Sequence, residues 1–118
     1  MGTFRVAIEV GDPQGQRWER IEALVDTGAS YTAVPASLLR RLGVEPQERR
    51  PFRLADERLV EYEVSQTQVR LDGRARYTLV VFGREGSEPL LGVVTLEEFG
   101  LAVDPVGQRL IPVPGLLM

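Results

Sequence analysis

The stretch Leu24-Val25-Asp26-Thr27-Gly28-Ala29-Ser30 places an acidic residue, a hydroxyl and a glycine directly after an apolar run. Residues 21–25 are typical of a strand that is at least half buried, and Gly28 would allow a turn with positive φ or a close approach by another main chain. The Asp26 carboxylate would then lie at the rim of a hydrophobic core, where a charge must be paired, hydrogen-bonded or shared. A lone Asp-Thr-Gly is more often an ordinary turn, so its meaning depends on its context.

The residues around the Asp-Thr-Gly triplet favour a functional site over an ordinary turn. Residues 31–34 form a second short apolar run, which predicts a strand that Pro35 ends. Residues 37–43 then predict two turns of helix that end at Gly43 in the left-handed region. The acidic turn therefore connects two predicted strands and is followed by a short helix.

The composition narrows the chemistry that the chain could perform. The 118 residues are 43% hydrophobic and 26% charged, which is typical of one globular domain. The sequence has no His, Cys, Lys or Asn, which excludes Ser-His and Cys-His nucleophile pairs, Schiff-base lysines and Cys or His zinc sites. Carboxylates would have to carry any proton transfer, and we expect no metal and no cofactor.

The charge and hydropathy patterns also limit the partners. A net charge of −3 gives no electrostatic footprint for nucleic acid, and the arginine pairs at 40–41 and 49–50 are too short to form one. No apolar run approaches the length of a membrane span, and the first residues alternate like a strand without a signal-peptide core. We therefore expect a cytoplasmic protein that binds neither nucleic acid nor membrane.

The remaining patterns predict mostly strands. Residues 3–10 and 17–25 should form one hairpin, and Asp72-Gly73 is a strong signal for another, with residues 77–82 as its apolar, central strand. Residues 64–71 alternate with a phase slip near Thr67, which a bulge would explain.

The C-terminal third predicts a second helix and a last hairpin. Residues 94–99 should be helical and end at Gly100. Residues 101–103 and 109–113 should pair across a turn, and Pro112 and Pro114 confine the last strand to an edge.

Two parts of the chain resemble each other. Residues 37–44 and 95–101 have a similar order of residues, and each follows a strand that reaches a glycine turn, at Gly28 and Gly92. This indicates a duplicated strand, turn and helix unit related by a pseudo-twofold axis. Chance similarity over so few residues is the alternative.

Residues 23–30, the central hairpin and Leu90-Leu91-Gly92 before a short helix together resemble the retropepsin-like aspartic proteases, specifically the small single-domain bacterial type. The resemblance covers about residues 3 to 113. It implies a mostly β, closed acid-protease barrel with one or two short helices, as one domain over residues 1–118. It also implies that two chains bring their Asp-Thr-Gly turns together over a cleft that holds a peptide or protein substrate.

The resemblance assigns roles to the motif residues. Asp26 from each chain would form a dyad that shares one proton, and a homodimer is then required because the other aspartates lie in turn or loop contexts. Thr27 would carry hydrogen bonds across the dimer axis, and Gly28 would let the backbone approach the dyad. The implied site comprises catalytic Asp26; support from Thr27, Gly28, Ala29, Leu90, Leu91 and Gly92; and a flap over residues 52–62 with its tip at Ala55, Asp56, Glu57 and Arg58.

Two functions follow from this interpretation. One is an aspartic endopeptidase, and the other is a catalytically inactive peptide-binding or dimerisation module with the same fold. The flap tip has no glycine, which departs from the viral pattern, and an ordinary surface hairpin is an equally good interpretation of these residues. Pro112 and Pro114 would limit pairing of the C-terminal strands between chains. Four aromatic residues could line subsites or pack in the core: Trp18, Tyr31, Phe52 and Tyr62.

Overall fold

Seven of the nine strands in the described part of the protein form one sheet that closes on itself. A computed structural model describes residues 3–115 and 117, and these form nine strands and two short helices. In chain order the elements are β1 (Phe4–Gly11), β2 (Trp18–Val25), β3 (Thr32–Pro35), α1 (Ala36–Arg41), β4 (Glu48–Arg53), β5 (Leu59–Leu71), β6 (Arg74–Gly83), β7 (Leu90–Leu91), α2 (Val93–Glu98), β8 (Leu101–Asp104) and β9 (Arg109–Pro112).

The closure comes from one extra pairing. The main sheet has the order β1-β2-β7-β3-β6-β5-β4, and Val10 of β1 also pairs with Val69 of β5. Six strands therefore form a ring, and β4 continues the sheet outside it as an edge strand. The side chains that fill the ring are mostly aliphatic, and Val10, Val69 and Leu91 among them are 0% exposed. The predicted mostly β fold is confirmed.

The two hairpins that the sequence predicts most strongly are both present. β1 and β2 pair in continuous antiparallel register from Phe4–Val25 to Gly11–Trp18. Asp72 and Gly73 have φ angles of 50° and 78°, the left-handed pair that a two-residue β-hairpin turn requires. The strand after that turn, β6, lies between β3 and β5 and is central as predicted.

The predicted bulge near Thr67 is wrong. β5 pairs with β6 without interruption from Val64–Val81 to Leu71–Arg74. The apparent phase slip has another cause, because Ser65 and Thr67 are buried at 3% and 0% exposure in positions where aliphatic residues would continue the pattern. The Thr67 hydroxyl donates a hydrogen bond to the carbonyl oxygen of Gly11, so the buried polar group is satisfied.

Both helices directly follow a short strand. α1 follows β3 and α2 follows β7, and each is succeeded by a left-handed glycine, Gly43 (φ 82°) or Gly100 (φ 70°). β3 and β7 are neighbours in the sheet, although the two glycines of the suggested duplication are not equivalent. Gly28 lies before β3, whereas Gly92 lies after β7 and caps α2.

The last two strands form a separate hairpin. β8 and β9 pair only with each other among the described residues, from Leu101–Pro112 to Asp104–Arg109. Pro112 ends β9, which agrees with the predicted edge position. Neither helix of the described residues is long and apolar enough to serve as a membrane span.

Candidate active site

The Asp-Thr-Gly loop leaves β2 at the point where three strands meet. The short strand β7 lies between β2 and β3, so residues 26–31 pass over its end on their way from one to the other. The amide of Leu24 donates to the carbonyl oxygen of Pro89 (2.9 Å), and the amide of Asp26 donates to that of Leu91 (3.4 Å). These hydrogen bonds join the start of the loop to Pro89 and Leu91, and the support role of Leu90 and Leu91 stays a prediction.

The loop holds the Asp26 carboxylate by its own backbone. The Gly28 amide donates to Oδ1 of Asp26 at 2.9 Å, and the Ala29 amide donates to the Asp26 carbonyl oxygen at 3.0 Å. Asp26 is half-buried, whereas Thr27 and Gly28 are exposed. The carboxylate is thus oriented within one chain and remains accessible.

The sequence suggested that Gly28 serves a turn with positive φ or a close approach by another main chain. The structure gives it a different neighbour. Its φ is not in the left-handed region, and its nearest neighbour is a side chain and not another main chain. A Cβ atom at this position would lie 3.2 Å from Oδ1 of Asp26, tighter than an ordinary contact. A larger residue would therefore press on the carboxylate.

Gly92 fixes the second half of the loop. A Cβ atom here would lie 2.5 Å from the carbonyl carbon of Tyr31, so only glycine fits. The next two amides, of Val93 and Val94, donate to the carbonyl oxygens of Ala29 (3.0 Å) and Ser30 (2.9 Å). The start of α2 and the end of the loop are therefore joined by backbone hydrogen bonds.

Three buried threonines beneath the loop form a network that the sequence analysis missed. The Thr95 hydroxyl shares hydrogen bonds with those of Thr32 (2.7 Å) and Thr78 (2.8 Å), and the Gly92 amide donates to the Thr32 hydroxyl (3.1 Å). All three threonines are at most 1% exposed. The sequence does place a threonine inside each of three apolar segments. This pattern predicts a hydrogen-bond network only once the three segments are known to be in contact.

The β4–β5 hairpin carries the predicted polar tip. The Leu54 amide donates to the Arg58 carbonyl oxygen at 2.8 Å, and Glu57 has a φ of 74°. Glu57 thus takes the left-handed position that glycine usually occupies, which accounts for a tight tip without one. The Arg58 side chain and amide both donate to Asp56, and they hold the pKa of Asp56 below its ordinary value. Ala55 is exposed with the other tip residues.

Three of the four aromatic residues considered above gather between this hairpin and the loop. The Phe52 ring meets those of Tyr31 and Tyr62 edge-on, each with a centroid separation of 6.0 Å. Trp18 lies elsewhere, because it packs under the Arg70 guanidinium at 3.8 Å near the opposite end of β2. Tyr31, Phe52 and Tyr62 are half-buried, and Tyr31, the residue that Phe52 contacts, directly follows the Asp26 loop.

The arrangement presents one accessible carboxylate on an anchored loop, next to a hairpin with a partly apolar inner face. Within residues 3–115 and 117, no group of three or more acidic side chains is placed to hold a metal ion. Oδ2 of Asp26 accepts no hydrogen bond from the described residues and is free to bind water. The fold and this acidic loop define an aspartyl-protease-like protein.

Comparisons with known proteins identify the family. The family model described as "gag-polyprotein putative aspartyl protease" matches residues 16–98, which include the Asp-Thr-Gly loop, the hairpin and β7. The chain belongs to this family of retropepsin-like aspartyl proteases. A solved structure of EIAV protease in complex with the inhibitor HBY-793 has the same fold, with a TM-score of 0.59 and 17% sequence identity over 84% of this chain and 89% of that one. A search of curated proteins gives no match.

Proposed function

We propose that the protein is an aspartic endopeptidase that acts as a homodimer, with Asp26 of each chain contributing one carboxylate to a shared dyad. The observation that carries this proposal is the Asp26 loop, which orients its carboxylate through Gly28 while leaving it accessible. Membership of the aspartyl-protease family supports the same chemistry.

The dyad is required by the proton transfers of peptide hydrolysis. Two carboxylates about 3 Å apart cannot both ionise, so they share one proton. The ionised member takes a proton from water as the water attacks the scissile carbonyl, and the neutral member donates a hydrogen bond to the carbonyl oxygen. A proton then passes to the amide nitrogen as the carbon–nitrogen bond breaks. One Asp26 cannot hold both roles at once, and each chain has one Asp-Thr-Gly.

The surface beside Asp26 supports association with a second copy. Thr27 is exposed and lines a groove together with mostly apolar residues of α2, of β8 and of the segment 113–115. Among these are Leu96, Val103 and Val113, and Val113 is 38% exposed. An apolar groove that begins at the catalytic loop suits a partner that brings its own loop to the same place.

Replacement of Asp26 by Asn tests the proposal. Asp26→Asn should lower kcat by about 10²–10⁴-fold, because the amide can neither accept nor release the shared proton. The matched control is Asp72→Asn, which changes an exposed turn aspartate of the same charge. Sedimentation velocity over a range of concentrations should show a reversible homodimer for all three proteins. Undiminished cleavage by Asp26→Asn, or a wild type that stays monomeric while it cleaves, would contradict the proposal.

The alternative is an inactive module that binds an extended peptide. It is favoured by one observation, that β4 is an edge strand with one side open to strand addition. This function predicts that wild type and Asp26→Asn bind peptides equally well and that neither cleaves them. Isothermal titration finds the peptides that Asp26→Asn binds, and incubation of the same peptides with the wild type separates the two functions, because only a peptidase cleaves them.

A further inference from the structure

One face of the β4–β5 hairpin is half-buried along most of its length, and Arg50 is the one charged residue among its half-buried side chains, while the exposed Glu48 begins the same face. The half-buried side chains are Arg50, Phe52, Leu54, Val60 and Tyr62, and Arg50 pairs with Tyr62 across the hairpin. The residues that alternate with them along both strands are mostly exposed. Arg50 is therefore a cation placed among apolar and aromatic neighbours on the inner face.

Arg50 joins this face to the Asp26 loop. Its guanidinium carbon lies 5.3 Å from the ring centroid of Tyr31 and 6.0 Å from that of Phe52. Nη2 is 3.4 Å from the Tyr31 hydroxyl, a long hydrogen bond. Since Tyr31 directly follows the Asp26 loop and its backbone is fixed against Gly92, these contacts hold Arg50 beside the end of that loop.

The other three arginines of the hairpin each have a carboxylate partner on it. Arg49 pairs with Glu61 at 3.4 Å, Arg53 with Glu57 at 3.5 Å and Arg58 with Asp56 at 2.7 Å. Within the part of the chain that the structure describes, no carboxylate lies within 4.0 Å of the Arg50 guanidinium. The least exposed arginine of the four is thus the one without a counter-ion.

An aromatic surface offsets part of the cost of this charge but leaves most of its donors unused. A guanidinium presents five N–H donors in a planar fork that matches a carboxylate with two parallel hydrogen bonds. Cation–π contacts with Tyr31 and Phe52, together with the long hydrogen bond to the Tyr31 hydroxyl, hold the guanidinium beside the two rings. The edge of the guanidinium is then pre-organised for an acidic group.

We propose that Arg50 is a specificity-determining residue that selects peptides with an Asp or Glu side chain at the subsite beside Tyr31. The inference rests on the proposed peptidase function, because it describes how the same cleft chooses its substrate. An extended peptide under the hairpin would place one side chain against the inner face, and a carboxylate there supplies the partner that Arg50 lacks. A substrate carboxamide of the same shape would lose the charge-assisted hydrogen bonds.

Cleavage-site mapping on a proteome-derived peptide library tests this inference. The wild type should enrich Asp and Glu at one fixed position relative to the cleaved bond. A peptide pair that differs by Glu or Gln at that position should differ in kcat/KM by about tenfold or more in favour of Glu. Arg50→Gln should reduce this ratio to near one, and Arg50→Glu should invert the preference towards Arg and Lys. Arg49→Gln, which changes the outer face of the same strand, should keep the wild-type ratio.

The outcomes separate this inference from the proposed function. Cleavage that depends on Asp26 but shows no acidic preference overturns the inference and leaves the peptidase intact. If Arg50→Gln lowers kcat/KM equally for the Glu and the Gln peptide, Arg50 only stabilises the contact between the hairpin and Tyr31. This result also overturns the inference. A wild type that cleaves no peptide overturns both. The peptide pair on the wild-type enzyme gives a result even if the Arg50 variants do not fold.

Discussion

Gly92 lies against the main chain of Tyr31 so closely that a Cβ atom on Gly92 would stand 2.5 Å from the Tyr31 carbonyl carbon. Two backbone hydrogen bonds, from Val93 to Ala29 and from Val94 to Ser30, flank this contact. The helix α2 and the second half of the Asp-Thr-Gly loop are therefore joined through their backbones. The loop that orients the Asp26 carboxylate is thus fixed at its far end by residues that are distant from it in the sequence.

Gly92→Ala should destabilise the protein and displace the loop. The added methyl group meets backbone atoms, which cannot rotate away as a side chain can, so we expect a loss of about 1–3 kcal/mol in the free energy of unfolding. Denaturant unfolding measures the loss, and peptide cleavage should fall with it. Gly115→Ala is the control, because a Cβ atom there has no neighbour within 4 Å. Equal stability of the two variants would show that the contact can relax.

Thr95→Val should be costly although it preserves the shape of the side chain. The valine cannot bond to the hydroxyls of Thr32 and Thr78, which remain buried with one partner fewer. We expect a loss of about 1–3 kcal/mol in the free energy of unfolding. Thr3→Val changes an exposed threonine and should have little effect. A Thr95→Val variant as stable as the wild type would contradict the importance of the network.

Thr27→Val should weaken the proposed dimer without unfolding the chain. Thr27 is exposed in a single copy, so the substitution leaves the core unchanged, and in the proposed dimer its hydroxyl would form hydrogen bonds across the axis. Each substitution counts twice across a twofold interface, and we expect the dissociation constant to rise about tenfold or more. Sedimentation over a concentration series measures the change, and Thr27→Ser should restore the wild-type value. If Thr27→Val dimerises as the wild type does, the Thr27 hydroxyl does not contribute to the dimer interface.

The Asp12 turn should make stability depend on pH. The amides of Arg17 and Gln16 both donate to Oδ1 of Asp12 at 2.7 Å, and these hydrogen bonds lower the pKa of the carboxyl below its ordinary value. A lowered pKa in the folded state means that the stabilisation is complete above the unfolded value of about 3.9 and is lost as the pH falls through the folded value.

The variant Asp12→Asn tests whether this stabilisation is lost as the pH falls. The variant should be less stable than the wild type at neutral pH, and the difference should shrink as the pH falls below about 4, because only the wild type then loses its charge. Denaturant midpoints at several pH values measure the difference, with Asp72→Asn as a second turn variant. Other carboxylates also titrate in this range. The quantity compared is therefore the difference in the free energy of unfolding between wild type and Asp12→Asn, and not the stability of either protein alone. A gap that is constant with pH would contradict the assignment to Asp12.

The sequence predicted the elements that depend on local patterns. Alternating and apolar positions predicted β1 and β2, and the Asp72-Gly73 pair predicted the central hairpin. Gly43 and Gly100 predicted the ends of the two helices. The family resemblance is also confirmed. These signals are strong because each depends on the conformational preferences of a few adjacent residues.

The missed features depend on contacts between distant segments. Thr67 looked like a break in a strand because its partner, the Gly11 carbonyl, belongs to another strand. The link from Thr32 to Thr95 likewise joins two segments whose sequences contain no sign of each other. Arg50 looked like one of several surface arginines until the structure placed it against Tyr31. The roles of Asp26 and Thr27 in a dimer stay predictions.

The pairing of β8 with β9 inside one chain has a consequence for how activity would be controlled. The last strand already has its backbone partner, so a lone copy can keep its fold without borrowing a strand from a neighbour. If the active form is the proposed homodimer, dilution should silence the enzyme while its circular dichroism spectrum stays unchanged. The molecule would then be a latent hydrolase that is switched on by its own local concentration.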